Sequence, residues 1–250
     1  MFHIRQHYNQ RHPCRIERMH LFPNGKMKAL TLSYDDGVEQ DRRLIEILNR
    51  YGIKGTFNIN SGLQSGANKF QKGEVAIRRM NVRTLPDLYK GHEVAVHCLT
   101  HPHLESLDKE TMINELEQDK LNLERIFRTE IYGMAYPYGT FNDLVVEIVR
   151  ECDLRYARGV ISTMSFDIPD DLLRFQPTVH HKDASLMELA EAFIKLQPSK
   201  PQVFYLWGHS YEFDVENNWQ VIEDFCRLLA DREDIFYATN AEALLGVALK

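Results

Sequence analysis

The sequence has few cysteines, no long apolar run and no excess of basic residues. Its four cysteines, Cys14, Cys98, Cys152 and Cys226, form no C-x-x-C pair. This spacing excludes a zinc ribbon and is typical of free thiols in a reducing compartment. No stretch of about 18 apolar residues is present, and the N-terminus is too polar for a signal-peptide core. The net charge of -6 is opposite in sign to that of a typical nucleic-acid-binding protein, which is basic. These absences predict a cytoplasmic protein with no nucleic-acid partner and no membrane span.

The composition that remains predicts one globular α/β domain. Hydrophobic residues make up 44% and charged residues 26% of the 250-residue chain, which are ordinary values for a domain with a normal core. Strand-like runs alternate with helical apolar spacing. The predicted strands are 28–34, 55–59, 93–97, 131–136, 155–160, 203–207 and 235–238, and the predicted helices are 38–50, 108–128, 142–152, 185–196, 215–230 and 241–248. About seven strands followed by helices predict a parallel sheet closed into a barrel.

Polar residues able to do chemistry follow four of these strands, where the active sites of such barrels lie. They are Asp35 and Asp36 after the first strand, His97 and His101 at the third, Tyr136-Pro137-Tyr138-Gly139 after the fourth, and His209 after 203–207. We therefore expect these side chains to share one rim of the barrel.

The carboxylate and imidazole groups among these residues are enough to form a catalytic metal site. Catalytic zinc takes three protein ligands and leaves a position open for water, and one aspartate with two histidines meets that need. The second aspartate can then take a proton from the activated water. The Tyr138 backbone N–H is a candidate oxyanion donor, and His209 is a candidate general acid. Because Pro102 disfavours the α conformation at His101, we expect a bent loop there.

These residues, in this order, resemble the motifs of the polysaccharide deacetylases, the NodB-homology group that is similar to carbohydrate esterase family 4. The matching segments are Tyr34-Asp35-Asp36-Gly37, His97-Cys98-Leu99-Thr100-His101-Pro102, Pro137-Tyr138-Gly139 and Leu206-Trp207-Gly208-His209. The resemblance implies the following roles: Asp35 as base, Asp36, His97 and His101 as metal ligands, Tyr138 as oxyanion donor and His209 as acid. It implies a distorted (β/α) barrel of about seven parallel strands over 28–250, after an N-terminal extension of 1–27. It also implies a divalent ion, commonly zinc, with other first-row ions accepted.

The sequence departs from the family pattern at the residue that orients the base. Ala135 stands two residues before Pro137, where many members have arginine. Arg158, after the next predicted strand, is a candidate to supply this guanidinium. Tyr136, Pro137 and Trp207 are further candidates for contact with substrate or base. The family's Asp-Trp or Asp-Tyr motif is not evident, and glycine precedes the acid histidine where a bulky residue often walls the acetyl pocket.

The motif set predicts a metal-dependent deacetylase that hydrolyses N- or O-acetyl groups of a carbohydrate. One alternative is a hydrolase of a small non-peptide C–N amide or cyclic amide on the same fold. A second alternative is a catalytically silent protein that keeps the metal for ligand capture. The oligomeric state is not predicted.

Several residues also have purely structural interpretations. The triplet after the first strand is a common turn former, and Trp207 also fits a core position. Glu115, Glu117 and Asp119 fit the solvated face of a long helix. Residues 62–81 are predicted to form a lid or substrate loop. The polar residues His3, His7, His12 and Cys14 fit a terminus rather than a second metal site.

Overall fold

The computed structural model describes residues 22–247, and in it eight parallel strands form one sheet curled into a half-barrel. The strands are β1 (Lys28–Asp35), β2 (Gly55–Ile59), β5 (Glu93–Val96), β6 (Gly133–Ala135), β7 (Tyr156–Arg158), β8 (Val179–His180), β9 (Gln202–Gly208) and β10 (Ile235–Tyr237). Their order is β7-β6-β5-β2-β1-β9-β8, with β10 also paired to β1. All seven predicted strands and the predicted fold class are confirmed.

Strand β1 is the centre of the sheet. It pairs with β9 along nearly its whole length. On its other side the first half pairs with β10 and the second half with β2. All eight of its residues are buried, as expected for a parallel strand covered on both faces. The carboxyl end of β1 therefore lies at the middle of the edge formed by the carboxyl ends of the strands.

The barrel is distorted because the gap between its edge strands is spanned by irregular chain. Phe175 forms a single parallel bridge with Arg158 of β7, and five residues later His180 pairs with Trp207 of β9. This segment contains Pro177 and only a two-residue strand, β8. Pro177 cannot donate to a ladder, which explains why no strand is predicted there.

Eight helices surround the sheet within residues 22–247. They are α1 (Asp41–Arg50), α2 (Leu85–Leu88), α3 (Lys109–Phe127), α4 (Asp143–Glu151), α5 (Leu186–Lys195), α6 (Glu212–Val215), α7 (Gln220–Leu229) and α8 (Asn240–Leu245). The six predicted helices are confirmed, with one correction. The helix predicted over 215–230 begins only at Gln220, because Asn217 has a left-handed φ of 50° that separates α6 from α7. None of the helices described is long and apolar enough to cross a bilayer.

The segment predicted as a lid loop contains an antiparallel hairpin, formed by β3 (Lys69–Lys72) and β4 (Val75–Arg78). Its strands have four residues each and are mostly exposed, so their pattern is weak. Cys98, Cys152 and Cys226 are free thiols, as predicted, whereas Cys14 lies outside the described residues. The predicted polar terminus, including its three histidines, also lies outside them.

Candidate active site

The predicted site residues meet at one cavity at the carboxyl ends of the strands. The cavity has a volume of about 650 Å³. Its lining includes Asp35, Asp36, His97, His101, Tyr136, Tyr138, Trp207 and His209. Parallel strands deliver their carboxyl ends to one edge, which is why residues more than 170 positions apart in the sequence share this space.

Asp36, His97 and His101 converge on a single point. One potential ligand atom from each of the three lies within 4.8 Å of the other two. The backbone is bent to achieve this: φ is 89° at Asp36, 63° at Cys98 and 63° at His101. Non-glycine residues with such values are uncommon and persist only where surrounding structure holds them. His101 lies in a bent loop, as its neighbouring proline predicts.

The ring of His97 is fixed in one tautomer. Its Nδ1 donates a hydrogen bond of 2.8 Å to the Ala135 carbonyl oxygen, so the lone pair lies on Nε2. Burial lowers the pKa of His97 to about 4, against the opposing effect of Asp35. A neutral imidazole with a free Nε2 is the form that binds a metal, and a backbone carbonyl is a usual partner for its other nitrogen.

Two acids of α3 hold the histidine loop, which corrects the prediction that they face solvent. Asp119 is fully buried and accepts hydrogen bonds from the backbone N–H groups of His97 (3.0 Å) and Ser61 (2.6 Å). Glu115 accepts from the N–H and hydroxyl of Thr100, at 2.8 and 2.7 Å. Helical spacing puts residues four apart on one face, and charge alone does not reveal that this face points inward.

The two oxygens of Asp35 have different surroundings. Oδ1 accepts from Asn58 Nδ2 at 2.8 Å and from Arg158 Nη2. Oδ2 lies 3.9 Å from His97 Nε2 and faces the cavity side of the site. Burial would raise the pKa of Asp35, but Arg158 and His97 outweigh it and lower the pKa to about 2. One oxygen is therefore anchored while the other remains available as an ionised acceptor.

Arg158 contacts Asp35 from β7. The family pattern has its arginine on the neighbouring strand β6, at the position of Ala135. Ala135 of β6 and Arg158 of β7 are direct register partners. Partners in parallel strands project their side chains on the same face, so a guanidinium can approach the same carboxylate from either strand. Arg158 is fully buried, and its guanidinium lies 4.6 Å from the Trp207 ring centre. The salt bridge that Arg158 forms with Asp35 therefore lies within the site.

Glu212, which no sequence pattern singled out, lies close to three histidines. Two of them, His180 and His181, are at the end of β8, and His209 follows β9. Glu212 Oε2 lies 3.1 Å from His180 Nε2, 3.2 Å from His181 Nε2 and 3.4 Å from His209 Nδ1. Burial lowers the pKa of His209, but Glu212, Asp36 and Asp35 outweigh burial and leave it raised. The carboxylate thus orients the imidazole and favours its protonated form.

Gly208 is required for this arrangement. A Cβ atom there would lie 2.2 Å from His181 Nδ1. The ring of His181 occupies the space into which a larger residue at position 208 would extend.

Arg79 is a second cation of the site that the sequence did not reveal. It follows β4, and its Nη1 contacts the Asp36 backbone oxygen, Asn60 Oδ1 at 3.0 Å and Asp36 Oδ1 at 3.0 Å. Burial raises the pKa of Asp36, but Arg79 and the neighbouring imidazoles outweigh it and hold the pKa below its usual range. The carboxylate is therefore ionised.

The turn after β6 forms one side of the cavity. Tyr138 has a left-handed φ of 59°, and its exposed ring stacks on His103 with a centroid distance of 3.8 Å. Tyr136 is buried and donates from its hydroxyl to the Leu173 carbonyl at 2.9 Å, while Pro137 begins the turn. Trp207 is 8% exposed and belongs to a core cluster as well as to the cavity wall.

The chemistry of the donor set fits a divalent ion. Asp36 Oδ1 is buried and accepts no hydrogen bond among the described residues, although Arg79 is nearby. One carboxylate and two neutral imidazoles are suitable ligands for zinc and related ions. The residues that would hold the ion are thus Asp36, His97 and His101.

The protein is thus an α/β half-barrel protein with a carboxylate pair and three histidines at the carboxyl rim of its sheet. Residues 23–157, more than half of the chain, match the family model described as polysaccharide deacetylase. The chain belongs to the polysaccharide deacetylase family.

Individual relatives are distant. The uncharacterized protein YlxY of Bacillus subtilis (strain 168) is 23% identical over 148 residues, which are 59% of this chain and 42% of that protein. The match thus spans less than half of the length of this curated relative.

Solved structures share the fold. A putative polysaccharide deacetylase from Mycobacterium smegmatis has a TM-score of 0.64 and 17% identity, covering 90% of this chain and 92% of that chain. A family 4 carbohydrate esterase from Streptomyces lividans, in complex with acetate, has a TM-score of 0.54 and 20% identity, covering 83% and 90%. A family 4 pseudoenzyme from Bacillus anthracis has a TM-score of 0.53 and 17% identity, covering 89% and 66%.

Proposed function

We propose that this protein is a metal-dependent deacetylase that hydrolyses N- or O-acetyl groups of a carbohydrate. The observation that carries the proposal is the division of labour between two adjacent carboxylates. Asp36 lies with His97 and His101 around one point, whereas Asp35 is anchored through Oδ1 and keeps Oδ2 beside that point. A zinc ion held by the first three would supply a Lewis acid that activates water and polarises the acyl carbonyl.

The chain's own groups supply the proton transfers. Asp35 Oδ2 accepts a proton from the attacking water, and its low pKa keeps it ionised throughout the neutral range. His209, held by Glu212, donates a proton to the departing nitrogen or oxygen. The Tyr138 backbone N–H donates a hydrogen bond to the developing oxyanion, because preorganised donors stabilise such charge.

The experiment is an acetate-release assay on a panel of N- and O-acetylated sugars, before and after chelation and zinc restoration. We expect activity that disappears with chelator and returns with zinc. Asp35→Asn should lose activity but keep its zinc, because Asp35 is not a ligand. Bound zinc with no acetate release from any sugar would contradict the proposal.

The same panel distinguishes the alternatives. Small amides and cyclic amides are included, and hydrolysis of these alone would favour the amide hydrolase. The Arg158–Asp35 contact supplies a guanidinium to the base despite the alanine at position 135, so the absence of arginine there does not favour the amide hydrolase. Full cellular function in Asp35→Asn would favour a silent binding protein.

A further inference from the structure

The β3–β4 hairpin forms a cationic wall of the cavity. Successive side chains of a strand point to opposite faces. Phe70 and Lys72 share one face and line the cavity, as does Arg79 just after β4. Lys69 and Gln71 alternate with them and do not line the cavity. Lys72 is exposed, as Lys69 is, but only Lys72 of the two lysines lies at the cavity.

The hairpin is packed against the strand ends. The Phe70 ring packs edge-on against Tyr211 with centroids 5.5 Å apart. Ile77 is fully buried in a cluster with Val38 and Tyr211, and the Glu39 N–H donates to the Arg78 carbonyl at 3.0 Å. These contacts hold the backbone of the hairpin beside the site.

The cavity lining holds two cations, Lys72 and Arg79, and two carboxylates, Asp35 and Asp36, which both have other partners for their charge. Apart from Asp35 and Asp36, its lining contains no carboxylate. Lys72 makes no ion pair within residues 22–247. All side-chain hydrogen bonds and ion pairs described for Arg79 use Nη1, so Nε and Nη2 have no such partner in that range. Arg158 already neutralises Asp35, and an ion bound by Asp36 would leave the Arg79 charge uncompensated. This cavity occurs on a chain of net charge -6.

We propose that the natural substrate is an anionic acylated sugar, whose carboxylate or phosphate is bound by Lys72 and Arg79. Charged donors to an anion form the stronger class of hydrogen bonds, and arginine presents a planar fork that fits both groups. The assignment of the acyl group rests on the proposed deacetylase function, whereas the anion site rests on the hairpin. A pocket lined by cations also discriminates against positively charged sugars.

The test compares three probes that differ at one position: N-acetylglucosamine, its 6-phosphate and its C6 uronic acid. Calorimetry with zinc-loaded Asp35→Asn protein measures binding without turnover, and acetate release by the wild type measures kcat/KM. We expect the charged probes to be favoured by about 10- to 100-fold, with a preference that weakens as salt is added. The phosphate and uronic acid arms identify which anion the site prefers.

Matched variants locate the effect. Lys72→Met should remove most of the preference for charge, whereas Lys69→Met makes the same charge change on the opposite face and should not. Arg79→Lys should keep part of the preference, and zinc content is measured in each variant because Arg79 contacts Asp36. Equal affinity for neutral and charged probes, or equal effects of Lys72→Met and Lys69→Met, would overturn the inference. Selective anion binding without acetate release would support the anion site and reject the deacetylase.

Discussion

Removal of the Arg158 guanidinium should break the ion pair that holds Asp35, the proposed base. Arg158 and Asp35 are both buried, with 0% and 4% of their side chains exposed. Arg158→Met keeps the bulk of the side chain and leaves Asn58 as the remaining donor to Asp35 Oδ1. Losing an adjacent opposite charge raises a carboxyl pKa by roughly 1–3 units, so we expect the Asp35 pKa to rise from about 2.

Stability gives a measure of this contact that does not depend on substrate. Breaking one partner of a buried ion pair costs about 3–5 kcal/mol, and we expect Arg158→Met to lose about that much free energy of unfolding at pH 7. Asp35→Asn in the same chain should restore much of it, because the orphaned charge is then gone. Urea unfolding of the two single variants and the double variant gives the coupling energy.

The pH dependence has a defined sign. The folded pKa of Asp35 lies below its unfolded value, so its contribution to stability is present above pH of about 4 and is lost as the pH falls towards 2. Arg158→Met should reduce this loss on acidification. Positioned proton transfer contributes about 10²–10⁴-fold to rates, so kcat/KM should fall by roughly 100-fold.

A relocation tests the register argument. The double variant Arg158→Ala with Ala135→Arg should recover part of the activity lost in Arg158→Ala. Unchanged stability, unchanged Asp35 titration and unchanged kcat/KM in Arg158→Met would together refute the reasoning.

Three further predictions concern residues around the site and in the core. Glu212→Gln should lower kcat by about 10-fold or more with little change in KM and move the alkaline limb of the pH profile to lower pH, because the acid imidazole loses the carboxylate that raises its pKa. Asp119→Asn should weaken zinc binding by about 10- to 100-fold in a competition titration, whereas exposed Glu117→Gln on the same helix should not. Burial lowers the pKa of His92 to about 4, so its stabilisation is present above pH 6.5 and lost as the pH falls to 4, about 3 kcal/mol in all. His92→Gln should therefore lose less stability on acidification than wild type or exposed His103→Gln, and equal slopes in urea midpoints would contradict this.

The sheet was predictable because its strands are short segments rich in apolar residues. Residues 203–207 form a continuous apolar run, residues 28–34 contain four apolar residues among Lys28, Thr31 and Ser33, and the polar residues that follow both segments identify the rim. The hairpin and β8 were not predictable, because short exposed strands and a proline-containing segment lack a periodic signal. Helix α6 was not predicted, and the predicted start of α7 at residue 215 is five residues early, because apolar spacing does not reveal the left-handed Asn217.

The site was predictable where its ligands follow strands in motif order. Arg79, Glu212 and Asp119 were missed because each acts from outside that pattern. Arg79 comes from a hairpin insertion and Asp119 from a helix whose polar face turns inward. Glu212 lies at the start of the short helix α6, three residues after His209, and no motif marks it. Arg158 was predictable because it ends the strand that follows the one on which Ala135 replaces arginine.

The pairing of β1 also determines when the site can assemble during synthesis. Strand β1 is flanked by β9 and β10, which lie more than 160 residues further along the chain. Until those residues leave the ribosome, the strand that carries both carboxylates lacks neighbours on one whole side and half of the other. Loops of this length make such pairings slow. In a nascent chain the rim that carries the acidic pair and the histidines would therefore be completed only after the C-terminal strands have formed.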